Sequence, residues 1–241
     1  MSIEIIKNET PPLKEVQMIC DTGIHSKLNA FPITQCLNKH NFTLFLGKSG
    51  SGKTSLLTGL LKTPECFYKA YHRIYVFMPA ASRSSLKDNF FETHIKEDQL
   101  FDGLEYEDLE QVYYKCMDDA EENRFSLIVL DDVQSALKDK HIAKLLLHMV
   151  NNRRHARLSI WMACQTYHSI PKQVRQGLTG LFVFKISKTE MFNIIQEQME
   201  YSNDIIEKIQ PLVFTKPHDF MFIDTNNRRI FSNWNELIVR E

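Results

Sequence analysis

The sequence predicts an α/β protein with a central, mostly parallel sheet and helices on both faces. Short apolar, β-rich runs alternate with stretches of helical periodicity through most of the chain. The first strong run leads directly into a glycine cluster with the spacing of a phosphate-binding loop. Bulk composition agrees: 241 residues, 43% hydrophobic and 24% charged, suit one domain with a sizeable core.

In chain order, Pro11 and Pro12 mark a break before any regular core. Phe42–Leu46 (FTLFL) reads as a buried strand, and Lys53–Lys62 as the helix that follows the glycines. Residues 75–78 (YVFM) read as a second strand, closed by Pro79. Over 104–123, Leu109, Val112, Tyr113, Cys116 and Ala120 repeat at helical spacing against faces rich in Asp and Glu, giving an amphipathic acidic helix. Residues 125–130 (FSLIVL) form the clearest buried strand. A helix is expected over 139–151, then a strand at Leu158–Cys164 and another at 181–186. Helices near 190–199 and 203–209 precede two short runs, 220–223 and 229–231, that flank DTNNR as a closing hairpin. No repeat, low-complexity tract or linker divides the chain, so one domain is expected.

Several function classes are disfavoured at once. Apolar runs such as 127–130 fall far short of the roughly 20 residues that span a bilayer, so no membrane association is expected. The opening MSIEIIKNETPP lacks a basic segment followed by an apolar run, so no secretory signal is expected. Cys20, Cys36, Cys66, Cys116 and Cys164 are scattered without a C-x-x-C pair, which suits free thiols in a reducing compartment. The net charge of -1 means that a nucleic-acid partner must be held by a local basic patch. His141, His148 and His155 recur every seven residues but lack the pairing and nearby acids of a zinc site, and read as structural.

Gly47, Lys48, Ser49, Gly50, Ser51, Gly52, Lys53 and Thr54 fit G-x-x-x-x-G-K-[ST] at every fixed position. Gly47 lets the chain leave the strand sharply; Gly50 and Gly52 remove Cβ atoms where the backbone curls around an anion. Amides of this loop and of the helix start, including that of Ser55, are donors to phosphate. Lys53 reaches the β- and γ-phosphates of ATP, and the Thr54 hydroxyl is placed to ligand Mg²⁺.

Asp131 and Asp132 follow the run LIVL, at the strand end where open α/β sheets bind ligands. Asp131 would hold the hydrated Mg²⁺, and Asp132 would orient or deprotonate the attacking water. Gln165 ends its strand on the same edge, where a neutral amide can hydrogen-bond that water or the γ-phosphate. The segment 138–157 carries Lys138, Lys140, Lys144, Arg153, Arg154 and Arg157 against Asp139 alone, a balance of +5. Its arginine pair lies in a turn before the Gln165 strand. That location suits an arginine finger offered to a neighbour's nucleotide or a contact to DNA phosphate.

The order GKSGSGKT, LIVLDDV, NNRRHARLSIWMACQT resembles the FtsK–HerA superfamily of DNA-pumping ATPases. Within it the chain is most similar to the genome-packaging ATPases of large double-stranded DNA viruses of poxvirus type and of virophages. The similarity covers 31–184 with a looser echo to the C-terminus, leaving 1–30 as an N-terminal extension and 31–241 as the ATPase domain. It implies a RecA-like sheet with the Gln165 strand between the phosphate-loop strand and the Asp131 strand. It also implies a homo-oligomeric ring, usually of about five or six subunits, that threads duplex DNA into a preformed capsid, with a capsid vertex protein as a further partner. The place of action would be the host cytoplasm, with the virion as a second location. Arg154 matches the arginine that the superfamily keeps shortly before the sensor strand, and Asp132 stands where many members carry glutamate. Two other readings are a P-loop kinase of a nucleotide or small molecule and a nucleotide-gated binding switch. A GTPase is disfavoured because no N-K-x-D motif follows the loop.

Overall fold

The structure is a computed structural model that describes residues 2–6, 33–86 and 89–240. Pro11, Pro12 and Cys20 lie outside the described residues. The elements are β1 (Ser2–Ile6), α1 (Ile33–Cys36), β2 (Phe42–Leu46), α2 (Lys53–Lys62), β3 (Arg73–Phe77), α3 (Ala80–Ser84) and α4 (Phe90–His94). Next come β4 (Leu100–Phe101), α5 (Tyr106–Glu121), β5 (Ser126–Asp131), α6 (Lys140–Asn152), β6 (Leu158–Cys164), α7 (Lys172–Arg175) and β7 (Gly180–Phe184). Last are α8 (Lys188–Met199), α9 (Asn203–Val213), β8 (Phe220–Asp224), β9 (Arg229–Ser232) and β10 (Asn235–Arg240).

The ten strands of the described residues join one sheet in the order β1-β10-β9-β8-β7-β2-β6-β5-β3-β4. From β7 to β4 every pairing is parallel. β7 pairs antiparallel with β8, and the antiparallel run continues through β9 and β10 to β1. The expected position of β6, between β2 and β5, is what the register gives: Leu46 lies opposite Cys164, and Asp131 opposite Ala163. The closing hairpin of β8 and β9 is present but is only part of a larger antiparallel extension. Residues 2–6, inside the stretch expected to precede the domain, close its far edge against β10.

β2, β5, β6 and β7 are buried along their whole length, and alternate residues enter different cores. Phe42, Leu44, Leu46, Ile128, Leu130, Ile160 and Met162 pack beneath α5, α6, α8 and α9. Phe45, Leu127, Val129, Trp161, Phe182 and Phe184 pack on the other face, under α2 and α4. The central strands are therefore clamped from two sides, and their C-terminal ends form a fixed edge. The described cysteines Cys36, Cys66, Cys116 and Cys164 are free and buried, and no helix among the described residues is long and apolar enough to cross a membrane.

Candidate nucleotide site

β2 delivers the chain to the glycine loop between β6 and β7. The Gly47 N–H donates to the Cys164 carbonyl at 3.2 Å, continuing the parallel ladder one step past the strand. A Cβ on Gly47 would meet the Ser51 Oγ at 2.6 Å and the Phe184 Cβ at 2.8 Å, so only glycine fits. Gly50 and Gly52 have φ of 73° and 104°, in the left-handed region. Gly52 is the N-cap of α2 and offers no side chain to its first turn. The amides at the start of α2 are thus left open to an anion.

The Lys53 ammonium lies across the mouth of the loop, donating to the carbonyls of Gly47 at 2.7 Å and Lys48 at 2.9 Å. Burial lowers its pKa, while the charges of Asp131 and Asp132 work in the other direction. Thr54 donates its hydroxyl to Oδ2 of Asp131 at 2.7 Å, joining the loop to the end of β5 across the sheet. Asp131 is 3% exposed. Burial pushes its carboxyl up to about 6, against the Thr54 hydrogen bond and the Lys53 charge, which pull it down.

Asp132 turns sharply out of the strand at φ 57° and is exposed. Its Oδ2 accepts a hydrogen bond from the Ser82 hydroxyl on α3 at 3.3 Å. Gln165 is exposed just beyond β6, and its backbone N–H donates to Oε1 of Gln134 at 3.1 Å. Lys53, Thr54, Asp131, Asp132 and Gln165 line one cleft of about 330 Å³ together with Ser49, Gly50, Gly52, Ser55, Met78, Ser82, Ser85, Leu86, Ala163 and Cys164.

Of the residues singled out from sequence, Gly47, Lys48 and Ser51 shape this cleft from behind without lining it. Arg153 and Arg154 are not brought to it. They lie before the N-terminal end of β6, whose seven residues separate them from Gln165 by roughly 23 Å at the usual strand rise. Arg153 is tied down, with Nε donating to the His40 carbonyl at 3.1 Å and Nη1 to that of Val150 at 2.6 Å. Arg154 is exposed. Sequence reasoning missed Ser82 and Ser85, which line the cleft, and Gln134, which holds the Gln165 backbone from 31 positions away in the chain; Ser82 meets Asp132 from 50 positions away.

His141, His148 and His155 fall in no metal-binding cluster. Among the described residues no group of three or more His, Cys, Asp or Glu side chains can hold a metal ion. The ring of His148 packs on Tyr113 and that of His141 on Tyr106.

A family model described as "Poxvirus A32 protein" matches residues 30–223. The DNA packaging protein OPG160 of Variola virus is 30% identical over 155 residues, covering 62% of this chain and 55% of that protein. The same protein of Vaccinia virus (strain Copenhagen) matches to the same extent. The chain thus spans about half the length of these relatives. Among solved structures, the DNA-packaging ATPase B204 from Sulfolobus Turreted Icosahedral Virus superposes with a TM-score of 0.58 at 17% identity, covering 85% of this chain and all of that one. The genome packaging NTPase B204 from Sulfolobus turreted icosahedral virus 2, in complex with ATP-gammaS, gives 0.57 at 16% identity, covering 81% of this chain and 97% of that one. At such identities these structures establish a shared fold.

Proposed function

The chain belongs to the Poxvirus A32 protein family, and from that membership we propose that it is an ATP-hydrolysing motor that drives double-stranded DNA into a viral capsid. The observation that carries the reading is the 2.7 Å bond from Thr54 to Asp131. It joins a glycine loop open to phosphate to a buried carboxylate on the same sheet edge, with Asp132 and Gln165 beside them. That combination is what hydrolysis of a nucleoside triphosphate requires, and the resemblance to packaging proteins supplies the direction in which its energy is used.

In this reading the open amides at the start of α2 and the Lys53 ammonium bind the β- and γ-phosphates. Thr54 and Asp131 fit a Mg²⁺ site. Their oxygens already converge, and a cation bound mainly through phosphate and water needs only one or two protein ligands. When bound, Mg²⁺ neutralises charge on the phosphate oxygens. Asp132 orients or deprotonates the attacking water, and Gln165 holds the water or the γ-phosphate by its amide. Arg154 acts on the nucleotide of a neighbouring subunit in a ring, and the exposed lysines of α6 contribute to DNA contact. A capsid vertex protein would dock the ring, in the host cytoplasm where particles assemble.

Lys53→Ala tests the site. It removes the only ammonium placed at the loop by the described contacts and should abolish ATP binding or turnover with the fold retained. Near-normal steady-state hydrolysis in that variant would contradict the proposal.

A further inference from the structure

Behind the phosphate loop stands a residue that neither the loop motif nor the acidic pair includes. His218 lies between α9 and β8, and its Nδ1 is 3.1 Å from the carbonyl oxygen of Ser51. A carbonyl can only accept, so Nδ1 carries the proton in this contact. The ring also faces Gly52: a Cβ there would lie 3.5 Å from Nδ1 and 3.4 Å from the Phe184 ring.

The backbone around His218 is held in an unfavourable shape. Lys216, Pro217, His218 and Asp219 form a turn closed by the Asp219 N–H to the Lys216 carbonyl at 3.3 Å. His218 has φ 67°. Proline second and a positive φ third define a turn whose third place favours glycine or asparagine. Histidine occupies it instead, so its backbone is strained, and an observed outlier of this kind points to a role for the side chain.

The turn is also fastened from below. Oδ2 of Asp219 accepts from the Thr215 and Lys216 N–H groups at 2.9 and 2.6 Å and from the Thr215 hydroxyl at 3.0 Å. Its Oδ1 accepts from the Asn233 side chain at 3.0 Å, in the turn between β9 and β10. Hydrogen bonds at Asp219 and His218, joined by the peptide between them, therefore link the antiparallel extension to the phosphate loop.

In a trans peptide the C=O and N–H point in opposite directions. Fixing the Ser51 carbonyl toward His218 aims the Gly52 N–H the other way, into the cleft that Gly52 lines. Among the described residues that N–H donates to no other group. The buried Ser51 hydroxyl has no hydrogen-bond partner among the described residues, so it adds no second tether to this peptide.

We infer that His218 is a positioning residue for nucleoside triphosphate binding: it locks the Ser51–Gly52 peptide so that the Gly52 N–H is presented to the phosphates. The antiparallel extension is then part of the nucleotide site. This inference rests on the site proposed above.

The test uses the full chain, with ATP and Mg²⁺ titrated calorimetrically and hydrolysis followed in parallel. His218→Gly keeps the left-handed backbone and loses the donor, while His218→Asn keeps both. His218→Gly should raise Kd and KM about tenfold, the scale of one lost hydrogen bond, with kcat changed by less than about twofold and the unliganded Tm not lowered. His218→Asn should recover most of that affinity. A merely structural role would lower Tm without this split between KM and kcat. The inference is overturned if His218→Gly binds ATP as tightly as the unaltered chain, or if His218→Asn binds no better than His218→Gly. If the unaltered chain shows no Lys53-dependent ATP binding, the site reading fails and the inference with it. Lys53-dependent binding that ignores His218 removes the inference alone.

Discussion

Asp132 holds a left-handed backbone, at φ 57°, immediately after a fully buried strand. Asparagine accepts that conformation nearly as well as aspartate, so Asp132→Asn removes the charge without disturbing the turn. If Asp132 serves the attacking water, this variant should bind Mg·ATP normally and hydrolyse it about 10²-fold or more slowly, as for a lost general base. Binding that collapses with turnover would make Asp132 a metal ligand or a structural cap; unchanged turnover would remove it from the mechanism. At this scale the sequence was most informative where chemistry is local. The loop from Gly47 to Thr54 and the pair Asp131–Asp132 are each contiguous, so a pattern suited to phosphate and cation can be read from neighbouring residues alone. Ser82 and Gln134 were not legible, because serine and glutamine are ordinary on surfaces and acquire meaning only when a partner 50 or 31 positions away folds against them. His218 lies 167 positions from Ser51 and is hidden for the same reason.

The apolar runs Phe42–Leu46 and Leu158–Cys164 were legible to the residue, whereas the run read at 125–130 is the strand Ser126–Asp131 and the one read at 181–186 is Gly180–Phe184. Elements that depend on a partner were less legible. β3 begins at Arg73, before the apolar run, where the guanidinium pairs with Asp119 at 3.2 Å. α9 was expected near 203–209 but runs past Pro211 to Val213, which is 1% exposed in the core and holds the last turn. β10 is defined by its pairing with β9 and β1, which local propensity does not reveal. The basic segment from Lys138 to Arg157 also changes character on folding. Arg153 is bound to backbone carbonyls, and Arg157 stacks 5.2 Å from the Phe125 ring. Lys138, Lys140, Lys144 and Arg154 remain exposed to solvent. If α6 contributes to DNA binding, replacing Lys140 and Lys144 by Ala should weaken affinity for all sequences alike. It should also flatten the log–log salt dependence by up to about 1.8, at about 0.9 per phosphate contact. An unchanged slope would move the DNA contact to another surface.

For the molecule as a whole, the decisive feature is that a parallel sheet has two unlike edges. The cleft with Lys53, Asp131, Asp132 and Gln165 lies at one, and the Arg153–Arg154 turn at the other. If either arginine is catalytic, the roughly 23 Å along β6 favours action on a neighbouring subunit's nucleotide over its own. In that role Arg154, which is exposed, would be the better candidate than Arg153, whose Nε and Nη1 are already engaged. Arg154→Ala should therefore bind ATP but hydrolyse it poorly, with losses on the scale of about 10³ expected for a finger in trans. Mixing it with Lys53→Ala should restore some activity, because mixed interfaces pair an intact loop with an intact arginine. Mixed rings of verified composition without any rescue would leave DNA contact as the role of Arg154. The central claim, that hydrolysis at this cleft drives DNA, is tested most directly by the steady-state ATPase rate with and without duplex DNA, on protein whose oligomeric mass is measured in the same buffer. The account predicts an oligomer whose rate rises with duplex DNA of any sequence and falls to background in Lys53→Ala. A rate indifferent to DNA, or phosphate appearing on a small-molecule acceptor instead of in water, would contradict it.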